Sequence, residues 1–372
     1  MTTAATAAAV ETITLAPGYT VSRVAKGNWQ LAARHSAAYD ADEAVEDMRR
    51  YVEAGINAFD CADHYVGVEE LIGRFRARHP SLARGLRVST KYTPDLDLLP
   101  TLTRAHVEEA VDTSLKRLGV EQLDVVQFHW WDYQIPGCVQ ALLWLQELQR
   151  AGKVTHVSTT NFDVAHMREI VKAGVTLFSH QLQYSLLDLR PERGMVAFCR
   201  EHGIHLFCYG TIAGGFLSNR WLGQPDPPQP YANRSLVKYR LMVEEFGGWA
   251  RFQELLRRLD AIARKHRTGI ATIAARWVLD KPQVALALVG AKDARHLAET
   301  LEIFRVTLDD ADRAELDALA ASSPGAPGDC YAVERDPASI HKRIMQMNQN
   351  VHGAPANMLM APNLNELRGA TT

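Results

Sequence analysis

The sequence predicts an α/β protein: a (β/α)8 barrel with a long loop after the seventh strand and a C-terminal extension. Three observations predict it. From about residue 20 to residue 304, short β-branched runs alternate with longer amphipathic stretches, the pattern of repeated βα units around a parallel sheet. Eight such runs can be found, and eight parallel strands with intervening helices close most naturally into a barrel of about 250 residues. The competing architecture, a doubly wound open sheet, needs a glycine-rich first turn for a dinucleotide, and no GxGxxG follows any early strand.

The first strand is placed at residues 21–25, leading to Trp29. A helix over 43–54 precedes strand two at 56–60, and a helix over 68–78 follows it. Strand three is 86–91 and the next helix 103–118, with Thr103 and Glu109 near its first turns. Strand four is 124–129. Helix 138–151 stops at Gly152, ahead of strand five at 154–158. Helix 164–173, strand six at 177–181, helix 191–202 with Gly203 at its end, and strand seven at 205–209 continue the alternation. The connection over 210–248 contains the turn cluster QPDPPQP and is too long for an ordinary connector; loops of that length often act as lids. Helix 251–267, strand eight at 284–289 and helix 294–304 complete the set. Past residue 320 the periodicity fades into a tail rich in Pro, Gly, Met and Asn, with a short helical candidate near 339–349. Residues 1–321 are therefore read as the barrel, with its core at about 18–304. Residues 322–372 are read as an extension, over the barrel mouth or at an oligomer interface. Met345, Met347 and Met358 suit a segment draped over an irregular surface.

Composition excludes several classes. Hydrophobic residues are 47% and charged residues 23% of the chain, the balance of a globular protein with a sizeable core. Net charge is only -2 and the cations are dispersed, so the basic footprint of a nucleic-acid binder is missing. Five cysteines without CxxC pairing fit free thiols in a reducing compartment. The N-terminus lacks a signal-peptide pattern and no apolar run is long enough to span a bilayer, so the expected location is cytoplasmic.

Chemistry in such a barrel sits at the carboxyl ends of the strands. Four polar residues stand there on three neighbouring strands: Asp60 and Tyr65 after strand two, Lys91 after strand three, His129 after strand four. Singly, each has a structural explanation: a helix cap, a rim aromatic, a solvated charge, a satisfied core histidine. Together they read as an acid–base centre. A free phenol titrates near pH ~10, so Tyr65 is expected to need a cation to become a useful acid, with Lys91 supplying it. Asp60 would hold Lys91 charged, and His129 would donate to a carbonyl oxygen. No such side chain supplies a hydride, so the centre calls for a nicotinamide. No His/Asp/Glu cluster with ligand spacing occurs at successive strand ends, so no metal is expected.

The segments GINAFDCADHY (55–65), STKYT (89–93), VVQFHWWD (125–132) and AGKVTHVSTTNF (151–162) resemble the aldo-keto reductase superfamily, in the expected order and over roughly residues 18–304. The resemblance implies that barrel, an NAD(P)-dependent oxidoreductase acting on an aldehyde, ketone or sugar carbonyl or the corresponding alcohol, and Asp60, Tyr65, Lys91 and His129 as its tetrad. It also implies a cofactor site. Asn161 and Gln181 would bind the carboxamide, with Thr160 where a serine is usual. Tyr209 would stack on the nicotinamide, and residues 210–217, with Gly210, Thr211, Gly214 and Leu217, would form the pyrophosphate loop. GAKDARHLAETL (290–301) resembles the adenosine segment, with Gly290 and Thr300 in it and Lys292 and Arg295 toward a 2′-phosphate. NADP(H) is thus favoured, with NAD(H) the alternative, because Thr300 and His296 replace commoner residues. Trp29, Trp130 and Trp131, at strand ends, suit walls for an apolar or sugar-ring substrate. The rival reading is a non-catalytic regulatory subunit that binds the same nucleotide. The expected partners are a small carbonyl or alcohol and no nucleic acid or membrane, with a homo-oligomer left open.

Overall fold

The computed structural model describes residues 9–33, 35, 39–348 and 361–369. Eight parallel strands form a closed barrel: β3 (Val24–Gly27), β4 (Ala58–Asp60), β5 (Arg87–Tyr92), β6 (Leu123–Phe128), β7 (Val154–Thr160), β8 (Ser179–Gln183), β9 (His205–Tyr209) and β10 (Val284–Gly290). Each pairs with the next in sequence, and β10 pairs with β3 to close the ring. Ahead of them β1 (Thr12–Ala16) and β2 (Tyr19–Ser22) form an antiparallel hairpin across the barrel floor, where Tyr19 and Val21 pack with Val125, Phe207 and Leu286. The first strand expected at 21–25 is therefore two pieces: Val21 belongs to the hairpin, and the barrel strand begins at Val24.

The outer layer is α1 (Ala41–Glu53), α2 (Val68–Arg78), α3 (Arg104–Leu118), α4 (Cys138–Arg150), α5 (Val164–Lys172), α6 (Met195–Glu201), α7 (Arg234–Glu245), α8 (Gly248–Lys265), α9 (Ile270–Leu279), α10 (Leu297–Glu302) and α11 (Asp310–Ala321). Local chemistry sets their limits. Asp40 accepts the amides of Asp42 and Glu43 to start α1. Thr103 and His106 cap α3 reciprocally, the role expected of an acidic partner further on, and Gly119 at φ 65° ends it. The helix expected over 191–202 is broken by Gly194 at φ 131° into a single turn, Arg190–Arg193, and α6. The long connection after β9 contains α7, and α9 and α11 extend the helical count beyond the expected pattern. Within the candidate helix 339–349 only the turn Ile340–Arg343 forms; residue 349 and Met358 lie outside the described residues.

Register aligns the carboxyl ends. Asp60 pairs with Gly27 and Ser89, Lys91 with Gln127, Phe128 with Thr159, Thr160 with Gln181, and Gln183 with Tyr209. These contacts bring the side chains singled out from the sequence to one mouth.

Candidate active site

The centre rests on Asp60, the last residue of β4. Lys91 donates to both of its oxygens, at 2.9 and 2.7 Å, and to the Cys61 carbonyl at 2.9 Å. Gln127 and Gln181 add donors to Asp60 Oδ1 at 3.1 and 2.6 Å. Both charged partners are almost fully buried. A buried ion pair holds its charge only when such extra donors complete the shell, and this one has them. Gln127 was not legible as a site residue, since a glutamine inside a strand carries no motif.

Tyr65 follows β4 by five residues, its ring packed against Trp29 at 4.6 Å and edge-on to His64 at 4.8 Å. The Lys91 ammonium sits 5.2 Å from the centre of that ring. It does not make the phenol more acidic. Burial, reinforced by the carboxylates of Asp60 and Asp63, raises the Tyr65 hydroxyl well above its ordinary value. Tyr65 consequently keeps its proton throughout the neutral range.

His129, just past β6, is buried and its ring sits edge-on to Trp131 at 4.3 Å and to Tyr331 at 5.5 Å. Burial and the Arg335 charge push its pKa well below the ordinary value, so the ring is neutral. Its Nδ1 lies 3.1 Å from the Thr160 carbonyl oxygen, an acceptor only, so Nδ1 carries the proton and donates it there. Nε2 is then a bare acceptor, buried and without a partner among the described residues. The expected donor to a carbonyl is thus corrected to an acceptor, suited to a substrate hydroxyl.

The residues expected at the cofactor come together only in part. Asn161, at φ 63°, turns the chain at the end of β7, and its Oδ1 accepts from the Tyr209 hydroxyl at 2.8 Å. Gln181 is 2% exposed and turned down onto Asp60. Gln183, two residues on and on the same strand face, donates its Nε2 to Asp188 at 2.8 Å, and its buried Oε1 has no partner among the described residues. Gly210 and Gly214 hold positive φ in the turn after β9, and Thr211 and Leu217 are buried beneath it. Leu217 packs in the core and its amide is committed to Ile212. Gly290, ending β10, is crowded by the Gln30 side chain. Arg295, 79% exposed, is paired with Asp293 at 2.9 Å. Thr300 donates to the His296 carbonyl one turn back, which takes it away from a ligand. Of the tryptophans, Trp29 borders Tyr65 and Trp131 borders His129, but Trp130 is wholly buried, donates to the Ile135 carbonyl and is no wall of the mouth.

The mouth is covered by two late segments invisible to motif reading. From α7, Lys238 lies 4.9 Å over the centre of the Tyr209 ring and donates to its hydroxyl at 3.3 Å. Tyr239 crowds the turn after β9: a Cβ at Gly210 would fall 2.7 Å from its hydroxyl. From the extension, Arg335 donates to the carbonyls of Asn161 and Trp130 at 2.6 and 2.7 Å, and Glu334 pairs with Arg190, itself paired with Asp188. Asn161, Gln183, Tyr209 and Tyr331 close on one another with no room left between them for a water molecule. The residue types suit a nicotinamide, but in this arrangement the Tyr209 hydroxyl and the Asn161 Oδ1 are engaged with each other and the mouth between them is closed, so the group does not fit without displacing them.

The comparisons with known proteins agree with one another. The profile of the Aldo/keto reductase family matches residues 23–321. The chain is 25% identical to the aldo-keto reductase YhdN of Bacillus subtilis, covering 83% of this chain and 93% of that one. It is 24% identical to the NADH-specific methylglyoxal reductase of Escherichia coli, with 79% and 93% covered. Among solved structures, a thermostable aldo-keto reductase in complex with the inhibitor epalrestat superposes with a TM-score of 0.64 at 25% identity, with 81% of this chain and 96% of that one covered. The glycerol dehydrogenase of Gluconobacter oxydans shares the fold, with a TM-score of 0.70 at 23% identity and 87% and 97% covered. No described helix is long and apolar enough to cross a membrane. A parallel eight-stranded barrel, an acid–base centre on its carboxyl rim and a family match across most of the length lead to one conclusion: the chain belongs to the aldo/keto reductase family and is an NAD(P)H-dependent oxidoreductase of carbonyl or alcohol substrates.

Proposed function

We propose that Tyr65 exchanges the proton with the substrate oxygen, that Lys91 and Asp60 form the fixed charge pair beneath it, and that His129 receives a substrate hydroxyl. The observation that carries this reading is Lys91, bidentate on Asp60 and 5.2 Å from the centre of the Tyr65 ring. A phenol that stays protonated is a reservoir: it yields its proton only to a base stronger than phenolate, as the alkoxide formed from a carbonyl is. The bare Nε2 of His129 supports substrates that carry a hydroxyl, either an alcohol awaiting oxidation or a carbonyl with a hydroxyl beside it. Relatives named for methylglyoxal and pyridoxal support a small carbonyl. Trp29 and Trp131 are the proposed walls of that substrate.

NADP(H) is the proposed preference, with Lys292 and Arg295 as the charges toward its extra phosphate. Asp293 tempers it, because it holds the Arg295 guanidinium. The barrel is proposed to be residues 1–321 and residues 322–372 a C-terminal extension, over the mouth or at an oligomer interface, with the cytoplasm as the proposed location. The test is Tyr65→Phe. Turnover of an aldehyde panel should fall by about 10²–10⁴-fold while quenching of tryptophan fluorescence by NADPH is retained. Retained turnover would remove Tyr65 from this role.

A further inference from the structure

We propose that residues 330–335, together with Lys238 of α7, are a built-in stopper on the nicotinamide face of Tyr209, one that the cofactor lifts in order to bind. The proposal rests on Tyr209 being the ring on which the nicotinamide stacks.

Four independent features converge on that face. The Lys238 ammonium lies 4.9 Å from the ring centre and donates to the ring hydroxyl at 3.3 Å, at the edge of the face on which a nicotinamide would lie. Arg335 caps the carbonyls of Asn161 and Trp130, tying the ends of β6 and β7 to the extension, and its guanidinium stacks 4.1 Å from the centre of the Tyr133 ring. Between these two cations stands Tyr331, buried against His129, with Lys238 at 5.6 Å and Arg335 at 5.0 Å from its ring centre. Tyr331 adopts φ 61°, a left-handed conformation that a bulky residue rarely takes and that its surroundings must enforce. Glu334, wholly buried, locks the stopper through Arg190, which is held in turn by Asp188.

This cover is fastened around the mouth by polar contacts and strained backbone, with Cys330 and Val333 packed into the core beneath it. It can therefore exchange those contacts for others of equal kind. A nicotinamide brings an aromatic face for Tyr209, whose hydroxyl Lys238 otherwise engages, and a carboxamide for the Asn161 side chain, whose Oδ1 the Tyr209 hydroxyl otherwise occupies. Binding and closure then compete, and the apparent affinity is the intrinsic affinity reduced by the fraction of molecules that stand open.

The test uses the full chain and NADPH, with affinity read by quenching of tryptophan fluorescence. Arg335→Ala should bind NADPH about tenfold more tightly than the unsubstituted protein, and Lys238→Ala roughly threefold more tightly, because each raises the open fraction. Near-UV circular dichroism establishes that each variant is folded; if Arg335→Ala is not, Lys238→Ala carries the measurement. Amides of residues 331–335 should exchange hydrogen faster when NADPH is bound. Unchanged or weaker affinity in the folded variants, or slower exchange in this segment with NADPH, overturns the stopper. Tyr209→Ala separates the two ideas. Weakened binding there beside an unchanged Arg335→Ala keeps the ring and removes the stopper, whereas unchanged binding in Tyr209→Ala removes the ring assignment and the stopper's target with it.

Discussion

The floor of the active site and its cover both depend on buried ion pairs, but they are built differently. Beneath Tyr65, Lys91 and Asp60 sit on adjacent strands and share their shell with Gln127 and Gln181, all on barrel strands. Over Tyr209, Arg190 meets Glu334 from 144 positions away in sequence, and the second cation, Lys238, comes from a helix in a long connection. The first pair is held by backbone that the whole barrel keeps in register. The second holds the backbone instead, since the extension stays in place through the contacts it makes. The proposed acid–base centre is thus carried by barrel strands, and the proposed stopper by segments outside them.

Breaking the floor should have the largest effect. Lys91→Met leaves Asp60 as an uncompensated buried carboxylate, so we expect a loss of about 3–5 kcal/mol in stability by urea denaturation and about 10³-fold in turnover. A variant as stable and active as the parent would mean that the floor pair is dispensable. Acid should act next, and on the cover. Burial works to raise the Glu334 carboxyl, but the charges of Arg190 and Lys238 outweigh it and hold it at about 2, against 4.5 ordinarily. A depressed carboxyl contributes stability that is fully present above the unfolded value and is lost as pH falls from about 4.5 toward about 2, on the order of 3 kcal/mol for this shift. Glu334→Gln should remove that part of the dependence: melting temperatures of parent and variant should converge between pH 6 and pH 3. Parallel curves would show that the carboxylate adds nothing. The smallest effect is expected at an ion pair of a third kind, solvent-exposed. Asp293→Asn frees the Arg295 guanidinium, and the ratio of NADPH to NADH affinity should rise by about fivefold, the reach of roughly 1 kcal/mol at a surface pair. An unchanged ratio would place the phosphate away from Arg295.

The barrel was legible because eight short runs alternate with amphipathic stretches, some of them ended by glycines such as Gly119 and Gly152. Strand limits slipped by one to three residues: Val21 reads as barrel but pairs with the β1 hairpin, a distinction set by a partner strand and not by its own sequence. Helix α9, IATIAARWVL, is apolar on nearly every side, and a buried helix of that kind has no periodicity to betray it. Asp60, Tyr65, Lys91 and His129 could be picked out because they end neighbouring strands. Their protonation could not, since the direction of the Tyr65 and His129 shifts is set by burial and, for His129, by Arg335 from far along the chain. Lys238, Tyr331, Glu334 and Arg335 gave no signal, because each acquires meaning only from a partner far along the chain.

The closure of β10 on β3 has a consequence for synthesis. Val24 meets Ala287, so the ring's final seam forms between one of the earliest segments to leave the ribosome and one of the latest. Until then the nascent chain carries an open sheet with raw edges at β3 and β9, the templates on which unfinished β proteins aggregate. The extension emerges later still, after the ring can shut, so an emerging molecule acquires its catalytic floor before its cover.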